Sequence, residues 1–254
     1  MPRARWLFTT IQGGTALLRP NRTPHRTINH GWGGGAKKRR QVRQRAATAL
    51  ADAVNAADVR LAFIRHGNTA PNADDFDRTL TKQGRWQAVA AAKSYGQSLR
   101  PFLPTALSSE APRAAQTAEI FLEDAGRDVE IVVDRALYDG TIQPGGSAVF
   151  SEIGYAPLDF YLKDGRANTV LEAYAEATSG LISDTLDAFG ACSRRRTLVV
   201  VGHAVYLPAA ALFAAGALGC DEKARSLILG CDTQEAEGYL VEPDGSASLL
   251  RRPR

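Results

Sequence analysis

Between residues 59 and 250 the hydrophobic pattern keeps switching period. Short, mostly apolar runs read as buried strands at 59–64, 105–108, 129–133 and 197–201. Two further strand signals at 237–242 and 246–250 flank Pro243-Asp244-Gly245 and read as a hairpin. Longer stretches with 3.6-residue periodicity predict helices at 82–98, 112–125, 171–190 and 205–216. Thr81 is a plausible N-cap for the first of these, and Trp86, Val89, Ala90 and Ala92 form its expected sheet-facing stripe. Strands alternating with helices predict an α/β fold: a three-layer α/β/α sandwich on a mostly parallel sheet. No internal repeat is visible. The most apolar stretch, Val205 to Leu218, is Ala-rich and shorter than the ~18 residues of a membrane span, so it reads as a buried helix.

Residues 1–51 break this pattern. They hold eleven Arg and Lys and no Asp or Glu, which leaves 20 basic and 27 acidic residues in 52–254. The net charge of +4 is therefore a property of the arm, and the body is near −7. That asymmetry argues against a nucleic-acid role for the body. Gly31-Trp32-Gly33-Gly34-Gly35 and Lys37-Lys38-Arg39-Arg40 suggest a disordered arm that the fold does not need. Its composition resembles a mitochondrial or plastid leader, although it has threonine and no serine. A basic patch at Lys37 to Arg40 and a tail without a role are the alternatives. The three cysteines, Cys192, Cys220 and Cys231, have neither metal nor redox spacing and read as free thiols.

The chemistry sits at the ends of the apolar runs. Leu61-Ala62-Phe63-Ile64 leads directly into Arg65-His66-Gly67-Asn68-Thr69, and Leu198-Val199-Val200-Val201 into Gly202-His203. Ala106-Leu107-Ser108-Ser109 is followed by Arg113 at a helix start. Two imidazoles and two guanidinium groups at strand ends suit an anion site in the crevice of an α/β sheet. His66 and His203 are two of only four histidines, and the others, His25 and His30, lie in the arm.

From about Val59 to about Val241 the chain resembles the histidine phosphatase superfamily, the phosphoglycerate mutase-like fold. The matching pieces are Arg65 to Thr69, Asn72, Asp77, Leu80-Thr81, Gly84, Gln87-Ala88, Ser108-Ser109, Arg113-Ala114, Gln116-Thr117-Ala118 and Val200 to His203. The resemblance implies a phosphomonoesterase acting through a phosphohistidine on a small phosphorylated metabolite or a phosphoprotein. His66 would be the nucleophile. Arg65, Arg113 and His203 would act on the phosphoryl group, and Gly67, Asn68, Thr69, Asn72 and Ala204 would line its site. The like charges of Arg65 and Arg113 are expected to keep His66 neutral. The alternative expectation for Arg113 is a pair with Glu110 or Glu119 on its own helix face. Asp139, in Leu137-Tyr138-Asp139-Gly140, matches the family's proton donor, though Glu is commoner there; Glu110 and Glu152 are alternatives.

The resemblance also implies a cap over the site, here a short insertion at about 139–171 containing Tyr155, Phe160 and Tyr161. Thr69 stands where the acid-phosphatase branch carries a third arginine, and Ala204 where that branch carries Asp, although Pro71 matches it. Both departures point to branch 1. A phosphoglycerate-type mutase and a non-catalytic interaction module are the alternative functions. The longer aromatic and basic signature of true mutases is not found. Neither a metal-ligand cluster nor a nucleotide loop is visible, so no cofactor is implied, and neither nucleic acid nor membrane is expected as a partner.

Overall fold

The computed structural model describes residues 36–138, 143–154, 156–191 and 194–253. Its centre is a six-stranded sheet built from β1 (Val59–Arg65), β2 (Thr105–Ser109), β3 (Glu130–Asp134), β4 (Arg196–Gly202), β5 (Gly238–Val241) and β6 (Ala247–Leu250). The spatial order is β3-β2-β4-β1-β5-β6. The first four are parallel, and β5 and β6 continue the sheet as an antiparallel hairpin. Gly245, at φ +79°, makes the hairpin turn that Pro243-Asp244-Gly245 predicts.

The parallel strands are apolar on both faces, as strands covered twice must be. Leu61, Phe63, Leu198 and Val200 face one core; Ala62, Ile64, Val199 and Val201 face the other. The first core is covered by α1 (Ala36–Ala57), α6 (Gly165–Phe189) and α7 (Tyr206–Ala217). The second is covered by α2 (Lys82–Tyr95) and α3 (Pro112–Asp124). The remaining helices are α4 (Gln143–Ile153), α5 (Leu158–Tyr161) and α8 (Glu222–Gly230). The three-layer α/β/α sandwich is thus the architecture, and α7 is buried as its composition requires.

Four expectations change. The boundary at residue 51 falls inside α1, whose second half belongs to the core. Leu50, Ala53, Val54 and Ala57 are buried at i, i+3, i+4 and i+7, a helical stripe against α6 and α7. Arg43 pairs with Glu172 on α6 and lies over the Phe213 ring of α7. Basic charge on the exposed side of an amphipathic helix had mimicked a tail. The arm's other residues, 1–35, and with them the leader reading, lie outside the described residues.

The stripe on α2 is also different. Gly84, Gln87, Ala88, Ala91, Ala92 and Tyr95 are buried and Trp86 is exposed, because small side chains let the helix lie close to α3 and to the loop after β1. Thr81 does cap α2, its hydroxyl accepting from the Gly84 amide. The third difference is that α6 starts six residues early: Asp164 accepts from the amides of Arg166 and Ala167 and caps it there. The expected cap region therefore contains α4, α5 and the first turns of α6. Lastly, α8 was not foreseen; Asp221 caps it. Cys192 and Tyr155 lie outside the described residues, and Cys220 and Cys231 are free thiols. Among the described residues no helix is long and apolar enough to cross a membrane.

Candidate active site

The parallel register brings the strand ends together. Arg65 at the end of β1 pairs with Gly202 at the end of β4, and Ser108 of β2 is level with Val201. His66 and His203 each follow one of these strands by one residue, and the His66 amide donates to the Gly202 carbonyl at 3.0 Å. Their rings meet edge-on, with centroids 5.3 Å apart. Arg113, in the first turn of α3, reaches the same space from beyond β2. A cavity of about 240 Å³ opens here, lined among others by Arg65, His66, Asn68, Thr69, Arg113, His203 and Ala204.

The His66 ring has a defined tautomer. Its Nδ1 lies 2.8 Å from the Gly67 carbonyl oxygen, which can only accept, so Nδ1 carries the proton. Nε2 then holds a free lone pair. Burial, more than any other cause, pushes the His66 pKa down to about 3; Arg113, Arg65 and Arg78 push the same way, against the Gly67 hydrogen bond. Like charge was the expected cause, but desolvation is the larger one. His203 is also held well below the ordinary histidine range, by burial first and then by His66 and the arginines. Its Nε2 lies 2.9 Å from the Ser109 hydroxyl, which itself accepts from the Ala111 amide. Tyr138 packs on the other side of His203, with ring centroids 5.0 Å apart.

The loop after β1 is fixed by backbone contacts. Gly67 is buried and packs directly against the first turn of α2. A Cβ at Gly67 would come within 2.5 Å of the Gly84 carbonyl oxygen, and one at Gly84 within 2.1 Å of the Asn68 carbonyl oxygen. The Gly67 amide donates to Thr117 at 3.0 Å and the Asn68 amide to Gln87 at 2.7 Å. Gln116 accepts from the Leu80 amide at 3.0 Å. Thr117 of α3 and Gln87 of α2 thus hold the peptide that follows His66, and Gln116 holds the chain just before α2. The Asn68 side chain accepts from Thr81, and Thr69 accepts from Arg78. Asn72 is exposed, accepts only a long 3.4 Å bond from the Asp74 amide, and does not line the cavity. That bond is turn chemistry.

Arg65 donates to the Thr233 carbonyl at 2.7 Å and faces Glu235 at 3.9 Å. Arg113 pairs with neither Glu110 nor Glu119. Its partner is Asp75, at 2.7 Å. Asp75 also accepts from Arg78 at 2.9 Å and from the Tyr138 hydroxyl at 3.3 Å. Asp75, Arg78, Tyr206 and Glu235 line the cavity without having been expected there. For the first two a signal existed: Asp74-Asp75-Phe76-Asp77-Arg78 is a charged loop between the His66 peptide and α2. Tyr206 and Glu235 are brought in only by the fold. Asp139 lies outside the described residues. Glu152 is exposed and paired with Arg166, so it does not join the group. Among the described residues no cluster of three or more His, Cys, Asp or Glu could hold a metal ion.

The family model "Histidine phosphatase superfamily (branch 1)" matches residues 61–221. The chain belongs to this superfamily. Among solved structures it is similar to phosphoserine phosphatase from Entamoeba histolytica in complex with 3-phosphoglyceric acid, with 17% identity, a TM-score of 0.52, and coverage of 77% of this chain and 97% of that one. That likeness supports the fold of a histidine phosphatase. Two others are a mycobacterial glucosyl-3-phosphoglycerate phosphatase (23% identity, TM-score 0.46, 75% and 96% covered) and the protein histidine phosphatase SixA (14%, 0.43, 75% and 93%). No curated protein sequence matches the chain.

Proposed function

We propose that the protein is a phosphomonoesterase that works through a phosphohistidine at His66. The observation that carries this is the hydrogen bond from His66 Nδ1 to the Gly67 carbonyl, because it leaves Nε2 unprotonated in a residue that lines the cavity. In the first step Nε2 attacks phosphorus, the bond to the ester oxygen breaks, and the leaving alkoxide takes a proton. In the second, water attacks the phosphohistidine, releasing phosphate and free His66. Arg65 and Arg113 stabilise the transferring oxygens, which a neutral donor would do less well. His203, with Nε2 committed to Ser109, offers its remaining ring edge to the phosphoryl group. Asn68, Thr69 and Ala204 border that group, as cavity residues.

We assign the leaving-group proton to Asp139. It directly follows Tyr138, whose ring packs against His203 at a tilt of 58°. Glu110 keeps no observation in its favour, and Glu152 is bound to Arg166. The substrate is a small phosphorylated metabolite or a phosphoprotein. Asp139→Asn should slow alkyl phosphates much more than nitrophenyl phosphate, since only a basic leaving oxygen needs the proton. Equal slowing would remove Asp139 from this role.

The experiment that tests the central claim is a rapid quench with ³²P-labelled aryl phosphate. An acid-labile, base-stable label on the peptide containing His66 is expected. Turnover without such a label would reject the phosphohistidine. Product analysis with phosphoglycerates distinguishes hydrolysis, which releases phosphate, from a mutase, which returns an isomer. Activity should persist in EDTA, because Arg65 and Arg113 supply the positive charge in this site.

A further inference from the structure

The most buried cation of the cavity already holds a carboxylate. Arg113 is 3% exposed, and its Nη2 donates to Asp75 Oδ2 at 2.7 Å while its Nη1 donates to the Asp75 carbonyl. The same carboxylate accepts from Arg78 Nη1 at 2.9 Å and from the Tyr138 hydroxyl at 3.3 Å. Three donors around one anion is also what a phosphoryl oxygen would need from these side chains. A phosphoryl oxygen on the second N–H of Arg113 Nη2 would stand directly beside the Asp75 carboxylate, and two anions on one cation repel each other.

The two partners differ in freedom. Arg113 is fixed inside α3's first turn. Asp75 is 49% exposed on the loop between Ala70 and Asp77, most of which is exposed. When an oxyanion arrives, Asp75 is therefore the group that moves. Burial disfavours its charge, but the hydrogen bond from Arg78 and the charge of Arg113 outweigh that and keep it ionised.

We propose that Asp75 is a built-in competitor for oxyanions at Arg113, which weakens the binding of phosphate esters and of released phosphate. Asp75 has this role only if the cavity is the phosphatase site proposed above. The competing role is a strut that holds Arg113 ready for phosphate. The two roles predict opposite signs when the carboxylate is removed. A competitor's loss tightens oxyanion binding, and a strut's loss weakens it.

The test is calorimetric titration of the full chain with inorganic phosphate and, separately, orthovanadate. Wild type is compared with Asp75→Asn and Asp75→Ala, and KM for an aryl phosphate is measured alongside. Removing one half-exposed charge from this pair should lower Kd for both oxyanions by roughly threefold to tenfold. KM should fall in the same direction. If wild type binds phosphate and neither variant binds it more tightly, Asp75 is not a competitor, and the phosphatase reading stands. If neither wild type nor either variant binds an oxyanion, both are overturned. Binding seen only in the variants supports the competitor in its strongest form.

Discussion

The floor and the rim of the cavity use the same kinds of side chain but hold them differently. On the floor, His66 and His203 extend the central strands β1 and β4, and the backbone fixes them before any side-chain contact is counted. Ser109, Thr117 and Gln87 add single, well-directed hydrogen bonds. On the rim, Asp75 and Arg78 stand on an irregular loop and are held mainly by each other, by Arg113 and by Tyr138. The floor thus inherits the stiffness of the sheet. The rim has only local ion pairs, which are weak where water reaches them. Chemistry that needs a placed lone pair belongs on the floor, and adjustable affinity belongs on the rim.

The largest expected effect strikes the floor. His66→Ala should lower aryl phosphate turnover by about 10³-fold or more, with little loss of thermal stability, because the backbone bond to Gly202 remains. Steady-state kinetics and a melting curve check both halves. Turnover within tenfold of wild type would make the floor merely structural.

The next effect asks how far back the floor's support extends. Leu50 is fully buried on α1, in the core beneath β1 and α7. Leu50→Ala should cost about 3 kcal/mol in denaturant unfolding. A loss below about 0.5 kcal/mol, the scale of a surface substitution, would return this part of α1 to the arm.

Acid should expose the cost of keeping two imidazoles neutral. The folded His66 pKa is lowered to about 3, and His203 is also lowered, while the unfolded chain keeps ordinary values. Above the ordinary histidine pKa neither contributes. As pH falls below it, the unfolded chain takes up protons that the folded chain declines, so stability falls by about 1.4 kcal/mol per pH unit for each histidine. His66→Asn should flatten the dependence of the unfolding free energy between pH 6.5 and 5. Histidine NMR shifts of the wild type should stay flat over that range for both rings, and a titration near 6.5 in either would contradict their burial.

The smallest effect is on the rim's outer side. Asn72→Ala should change kcat/KM by less than about twofold, as for an exposed turn residue. A larger loss would mean that the loop reaches further into the site than its hydrogen bonds indicate.

The floor was legible in the sequence because each of its residues follows an apolar run by a fixed step, so strand ends and chemistry coincide. The sheet was legible for the same reason, down to the closing hairpin. The rim was legible only as a charged loop, because Asp75 meets its partner Arg113 across 38 residues, a contact that no periodicity encodes. Helix α1 was legible in its Leu50, Ala53, Val54 and Ala57 stripe but was masked by its charge. The α2 stripe was misplaced because bulky Trp86 was weighted above the small residues that let α2 lie close.

The contact between Gly67 and Gly84 has a consequence for how this protein can vary. Gly67 is pressed against the main chain of Gly84, and Gly84 against the main chain of Asn68, not against side chains. Shrinking a neighbour therefore cannot make room for a larger residue at either place. A library randomised at both positions together should return active clones that are glycine twice over, with no compensating pairs, while one randomised at Trp86 should return nearly anything.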